Sequence, residues 1–280
     1  MNIGAHVSTQ GGLYKAVERA EVLGCTAMQI FGASPRQWFS RLPEDKDVEK
    51  YKQVLKNSKI NSVYLHAAYL VNLASPEKSL REKSVKNLSL HFQIANLIGA
   101  DGLIFHIGSG KELPKVEAYK NVVDGIKKVL TNVKGSSKLI MENTAGGGAK
   151  IGNTVEEIGI LFKKVKSGRL GVCIDTAHAF ESGEIKEYST KEIKEFVKKI
   201  DKAFGINNLC VLHVNDSKTK YASNHDRHEN IGEGYIGLTA FKNLAKNSQL
   251  NKLPWLLEVP GYGNEGPDKK NIATIKKCFK

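Results

Sequence analysis

Five histidines and four carboxylates in this chain have the side chains that bind divalent metal ions, and seven of the nine stand at or just past the end of a short apolar run. His66 closes SVYLH, His106 closes GLIFH, Glu142 closes KLIME and His213 closes NLCVLH. Asp175 and His178 follow GVCI, and Glu258 follows PWLL. The remaining two, Asp226 and His228, lie in the polar stretch after the run that ends in His213. Imidazole nitrogen and carboxylate oxygen are good ligands for zinc and similar ions. A lone histidine at such a place is commonly a hydrogen-bonded structural residue. Six consecutive runs that all end in ligand-type groups are better explained by one metal-filled site.

Apolar runs of this length, separated by helix-sized segments, read as buried parallel strands. The expected strands are Asn2–Val7, Ala27–Phe31, Ser62–His66, Gly102–Ile107, Lys138–Glu142, Leu170–Thr176, Asn208–Val214 and Pro254–Val259. Helical patterns fall near 11–23, 44–58, 76–99, 116–131, 154–166, 190–204, 238–248 and 268–279. Ser75-Pro76 and Thr154-x-x-Glu157 read as helix N-caps, the second as a capping box. Eight strand–helix units in succession predict an α/β chain forming a single (β/α)8 TIM barrel over residues 1–280, rather than a doubly wound open sheet. Such barrels carry their active sites at the C-terminal face, on strand ends and the loops that follow, which is where the nine residues fall.

The composition is compatible with this: 41% hydrophobic residues suffice for a sizeable core. No stretch of 18 apolar residues and no charged-then-apolar leader is present, so neither a membrane span nor a signal peptide is expected. Cys25, Cys173, Cys210 and Cys278 are scattered without a CxxC pair. Free thiols in a reducing, cytoplasmic compartment are expected, with a disulfide or metal role as the alternative. The 42 Lys and Arg exceed the 29 Asp and Glu, for a net charge of +13. That suits a polyanionic partner, although a lysine-rich solvated surface would read the same way.

Other features weigh less. His91 lies within a helical pattern and is left out of the site. His225 should point away from Asp226 and His228 if the loop is extended, because successive side chains alternate. His6, ending the first strand, is placed beside the site, facing either the ligands or the substrate. Gly232-Glu233-Gly234-Tyr235-Ile236-Gly237 matches GxGxxG but follows the polar SNHDRHEN stretch, not the strand that a dinucleotide fingerprint requires. The sequons at Asn87 and Asn215 mean little without a secretory leader. Two loops, FGASPRQWFSRLP at 31–43 and HAAYLVNLAS at 66–75, present Arg36, Gln37, Trp38 and Tyr69. Planar side chains on a basic surface suit stacking on bases or filling a gap in a duplex; a hydrophobic lid on the barrel rim is the alternative.

At this point the chain resembles a known family, the endonuclease IV type of apurinic/apyrimidinic endonucleases (AP endonuclease family 2). The matching segments are IGAHVS at 3–8, RQW at 36–38, HAAYLVNLAS at 66–75, FHIGS at 105–109 and MENTAGGG at 141–148. They continue with GVCIDTAHAF at 171–180, HVNDSK at 213–218, HDRH at 225–228, GEGYIG at 232–237 and LEVP at 257–260. The resemblance implies three zinc ions, with Mn2+ able to substitute. One would be held by His66, His106 and Glu142, the second by the bridging Glu142 with Asp175, His213 and Glu258, and the third by His178, Asp226 and His228. Glu142 and Glu258 would be catalytic; Arg36, Gln37 and Tyr69 would touch DNA. The implied activity is hydrolysis of the phosphodiester 5′ to abasic sites in double-stranded DNA, leaving a 3′-hydroxyl and a 5′-deoxyribose phosphate. Trimming of blocked 3′ ends would accompany it, and a monomer is expected. A metal-dependent sugar isomerase or epimerase on the same kind of barrel is the runner-up, and a non-catalytic DNA-binding protein with structural zinc the third reading. The extra His178, Asp226 and His228 set, the RQW loop and the charge argue against the former. The absence of cysteine from the ligand set argues against the latter.

Overall fold

Eight short apolar stretches close into a parallel barrel in the computed structural model, which describes residues 1–34, 37–38 and 41–280. In chain order the barrel strands are β1 (Asn2–His6), β2 (Ala27–Phe31), β3 (Ser62–His66), β4 (Gly102–His106), β5 (Lys138–Glu142), β6 (Leu170–Asp175), β7 (Leu209–His213) and β10 (Pro254–Leu257). A two-stranded antiparallel ribbon, β8 (Asp216–Ser217) with β9 (His228–Glu229), rises between β7 and β10. Each barrel strand pairs with the next, and β10 pairs with β1 to close the ring. The helices are α1 (Leu13–Leu23), α2 (Asp45–Lys56), α3 (Lys78–Ile98), α4 (Lys115–Asn132), α5 (Val155–Val165), α6 (Thr176–Glu181), α7 (Thr190–Phe204), α8 (Leu238–Lys246) and α9 (Lys269–Cys278). The barrel is therefore the one expected. No helix among the described residues is long and apolar enough to cross a membrane.

Successive strand side chains point to opposite faces, and the two faces meet different partners. Outward residues such as Leu65, Leu103, Leu139 and Leu257 join the helices in one large apolar layer. Inward residues form a small separate cluster of Ala27, Tyr64, Ile104, Ile140, Cys173, Val211 and Leu256. That cluster is the floor of the site. Two residues further along the same strands stand Gln29, His66, His106, Glu142, Asp175, His213 and Glu258, so the period-two alternation carries each of them inward, one layer above the floor.

The helices bury apolar stripes at three- and four-residue spacing; α7 does so with Ile193, Phe196, Val197, Ile200 and Phe204. Two expected caps differ in detail. Helix α3 begins at Lys78 and no side chain caps it; the Ser75 hydroxyl instead accepts the Glu77 N–H in a turn ahead of the helix. Pro76 disfavours helical backbone at Ser75, which delays the start. Thr154 does cap α5 by accepting the Glu157 N–H, but the box is only half formed. The Glu157 carboxylate reaches past Thr154 to the N–H groups of Gly152 and Asn153. A complete capping box is found at Ser189 and Glu192 of α7. The short helix α6 was not anticipated; its six residues are too few for a periodic signal.

His91 is wholly buried in α3, and neither ring nitrogen has a hydrogen-bond partner among the described residues. Burial pushes its pKa down from 6.5 to about 4. The unfolded chain therefore takes up this proton first as pH falls. The stability contributed by the neutral ring is intact above about 6.5 and is lost between there and about 4, a change of about 3 kcal/mol. Urea denaturation of chelator-treated protein at pH 7 and pH 5 should show a larger loss for the wild type than for His91→Leu. Equal losses would show that His91 does not set this dependence.

Candidate metal centre

Glu142, at the end of β5, is the hub. Its carboxylate is wholly buried. Oε2 lies 3.0 Å from His66 Nε2 and 3.1 Å from His106 Nε2, while Oε1 lies 2.8 Å from His213 Nδ1 and 3.5 Å from His178 Nδ1. Burial acts to raise its pKa, but the His213 and His106 charges outweigh burial and hold it well below the usual carboxylate range. Glu258, just past β10, is held low in the same way by His213, with its Oε2 3.3 Å from His213 Nδ1.

Asp175 ends β6 and caps α6 by accepting the His178 N–H at 3.0 Å. This cap is why a six-residue helix forms here, and it sets His178 beside Asp175. Asp175 Oδ2 is 3.9 Å from His213 Nδ1 and 3.5 Å from His228 Nε2. Asp226 meets His178 Nε2 through Oδ2 at 3.3 Å and His228 Nε2 through Oδ1 at 3.7 Å. Burial would raise the Asp226 pKa, but the close approach and charge of His178, with the His228 charge, leave it well below its ordinary value. All nine expected ligands thus converge above the barrel floor. His225 is exposed, as alternation along the loop requires.

The ligand atoms gather in groups whose members lie within 4.8 Å of one another: His66, His106 and Glu142; Glu142, Asp175, His213 and Glu258; and Asp175, His178 and His228. Asp175 rather than Asp226 completes the third group at this spacing, with Asp226 touching each histidine through a different oxygen. The protonation pattern suits cations. His66 Nδ1 and His178 Nδ1 each donate to a backbone carbonyl, of Ala67 and Asn143, at 2.9 Å. Their Nε2 lone pairs then face carboxylates, an arrangement favourable only with a proton or metal ion between. His178 Nε2 and His228 Nε2 are also buried without a hydrogen-bond partner among the described residues. Cys173 lies near Glu142 and His213, but burial pushes its thiol up to about 12, which keeps it protonated and a poor ligand.

Three carboxamides hold these groups. Asn143 accepts the Asp175 N–H at 2.6 Å and donates to the Asp175 carbonyl. Asn215 donates to Asp175 Oδ2 at 2.7 Å and accepts the Glu258 N–H at 2.7 Å. Gln29, on β2, touches His213, Glu258 and His6. Sequence reasoning passed over all three. The Asn215 sequon is a buried structural amide. Adjacency to Glu142 marks Asn143, and a lone amide within AMQIF marks Gln29.

The glycine loop binds an anion after all, though an internal one. The buried Asp216 carboxylate accepts the N–H groups of Gly232, Gly234, Ile236 and Gly237. A Cβ at Gly234 would meet the Ser217 carbonyl at 2.3 Å, so only glycine permits that approach. This collar fixes the base of the ribbon whose far strand carries His228.

A cavity of about 690 Å3 opens above these histidines and carboxylates, walled by His66, His106, His178, Tyr69, Arg227 and Glu258 among others. Tyr69 is 68% exposed at its rim, edge-on to Phe31 at 5.5 Å between ring centroids. Gln37 is exposed as well; Arg36 lies outside the described residues. Cys25, Cys173 and Cys278 are buried free thiols, and Cys210 is a half-buried one.

Barrel and site together define a class. Residues 17–278 match the family described as the Xylose isomerase-like TIM barrel. Within that class, the chain is 36% identical to a probable endonuclease 4 of Halothermothrix orenii over 99% of this chain and all of the relative. Its structure superposes on endonuclease IV from Thermus thermophilus with a TM-score of 0.85 at 33% identity, covering 100% of this chain and 97% of the other. The chain belongs to the endonuclease IV family of apurinic/apyrimidinic endonucleases. A D-tagatose 3-epimerase-like protein shares the fold at 18% identity and a TM-score of 0.69, covering 99% of this chain and 95% of the other; that likeness concerns architecture alone.

Proposed function

We propose that this protein hydrolyses the phosphodiester bond 5′ to abasic sites in double-stranded DNA, using three divalent metal ions, zinc foremost. The same site would trim blocked 3′ ends. The observation that carries the reading is the convergence of five histidines and four carboxylates, drawn from the ends of six barrel strands, helix α6, strand β9 and the loop before it, under an open cavity. His66, His106 and Glu142 would hold one ion; Glu142, Asp175, His213 and Glu258 a second; His178, Asp226 and His228 a third, with Asp175 close by. Metal ions there would polarise the phosphodiester and lower the pKa of water.

The protein's own groups account for the remaining requirements. Glu142 and Glu258 are held ionised, so they orient and accept rather than donate protons. Hydrolysis joins a water oxygen to phosphorus and breaks the bond to the 3′ oxygen, which leaves with a proton as a hydroxyl. The net charge of +13 draws an anionic polymer, and binding should weaken steeply with salt. Tyr69, with Gln37 and the Arg36 that precedes it in sequence, would fill the gap where a base is missing. An abasic nucleotide is cheaper to extrude than an intact one because its pairing and part of its stacking are already lost.

The test is nicking of a duplex with a single abasic site against the intact duplex, with product ends analysed for a 3′-hydroxyl and a 5′-deoxyribose phosphate. Equal cleavage of both, or none, would overturn the reading. Tyr69→Ala should weaken binding to the abasic duplex about tenfold, in line with about 1–3 kcal/mol for an aromatic stacking contact. Its metal content and its binding to intact duplex should stay unchanged. Equal weakening on both duplexes would make Tyr69 part of the rim only.

A further inference from the structure

Gln29 occupies, on β2, the inward position that carries a ligand-type group on six other barrel strands. It is wholly buried, and all its polar atoms are engaged. Its side chain lies 2.8 Å from His213 Nε2 through Oε1, and through Nε2 2.5 Å from Glu258 Oε1 and 2.9 Å from His6 Nδ1. A carboxylate can only accept hydrogen bonds, so the NH2 end of the amide must face Glu258. The carbonyl end must then face His213, and because it too can only accept, His213 Nε2 must carry the hydrogen. The reversed amide would set its carbonyl against the Glu258 carboxylate.

We propose that Gln29 is the positioning residue of the metal centre, fixing His213 as its Nε2–H tautomer and one Glu258 oxygen in place so that His213 Nδ1 and Glu258 Oε2 are presented together. The assignment rests on the metal-site reading given above. It explains the local geometry: with Nε2–H committed to Gln29, His213 Nδ1 faces Glu142 Oε1 at 2.8 Å and Glu258 Oε2 at 3.3 Å, where it holds a proton that a metal ion would displace. A nitrogen between two carboxylate oxygens is a binding face for a cation. The other amide hydrogen orients His6, which accepts it at Nδ1 and so keeps its own hydrogen on Nε2. One carboxamide thus sets the polarity of three side chains from β1, β7 and the end of β10. Partners that orient metal-bound histidine and carboxylate are typically worth about 10–100-fold in metal affinity.

Two variants and two readouts test this. Gln29→Leu removes both polar ends at similar size. Gln29→Glu keeps the shape and still accepts from His213, but repels Glu258. Zinc retained per folded chain is measured by chelator competition, with folding checked by circular dichroism. The His213 tautomer is read from two-bond 15N–1H correlations of the zinc-loaded wild type and of both variants. The expected result is Nε2–H in the wild type, a mixture of tautomers in Gln29→Leu, retained Nε2–H in Gln29→Glu, and about 10–100-fold weaker retention of one ion in both. Wild-type His213 protonated on Nδ1 overturns the proposal whether or not the variants fold, as does wild-type zinc retention in either folded variant. Nicking of abasic duplex by the wild type is scored separately. Inactive wild type with Gln29-dependent zinc retention removes the DNA assignment and leaves Gln29 its role; active wild type with Gln29-independent retention does the reverse.

Discussion

Glu142→Gln is expected to lower single-turnover cleavage of abasic duplex by a thousandfold or more, about 4 kcal/mol of transition-state stabilisation. The substitution keeps the side chain's length and shape. It replaces one of two equivalent anionic oxygens with an NH2 group that cannot bind a cation. Whichever way the amide turns, one side of the hub is lost: the oxygen facing His66 and His106, or the one facing His213 and His178. Because the residue is wholly buried, water cannot stand in for the missing charge. Elemental analysis of the folded variant should show fewer metal ions than the wild type. Normal turnover with unchanged metal content would remove Glu142 from the centre.

Chelation should abolish activity altogether, and re-addition of zinc should restore it, with elemental analysis finding about three ions per chain. One ion per chain at full activity would defeat the trinuclear reading. Metal removal should also change the pH dependence of stability. Burial acts to lower the pKa of His178 and of His213, but in both it is outweighed: by the Asp175 and Asp226 charges for His178, and by the Glu258 and Glu142 carboxylates for His213, the protonated Cys173 thiol beside it carrying no charge. Both therefore end well above 6.5 in the metal-free fold. A raised folded-state value means the stabilisation is present below about 6.5 and is lost as pH rises through the folded-state values. Bound metal replaces those protons, and its affinity grows as they leave. The rise in Tm on adding zinc to chelated protein should accordingly be larger at pH 8.5 than at pH 6. A Tm gain independent of pH would mean that protons and metal do not compete for these nitrogens.

The barrel and the inward cluster of histidines and carboxylates were legible in the linear chain for one shared reason. A strand's alternation is local, so a histidine or carboxylate two residues past an inward apolar residue must also point inward, as Tyr64 and His66, Ile140 and Glu142, and Val211 and His213 do. Alternation likewise separated Asp226 and His228 from His225 in the loop. What escaped was whatever depends on barrel closure. Gln29 gains its meaning only when β2 faces residues 184 and 229 positions away, His213 and Glu258. A lone amide inside an apolar run stands out and alternation turns it inward, but neutral Gln has no assignable role until its partners' polarity chooses which end faces which. The GEGYIG stretch was refused as a dinucleotide site because no strand precedes it, and the anion its N–H groups do hold, Asp216, could be named only once the ribbon had folded back onto it. Sequence determined which residues face inward, because backbone alternation needs no distant information. Tertiary structure decided which proton each inward group carries, because that depends on the donors and acceptors that ring closure brings within about 3 Å.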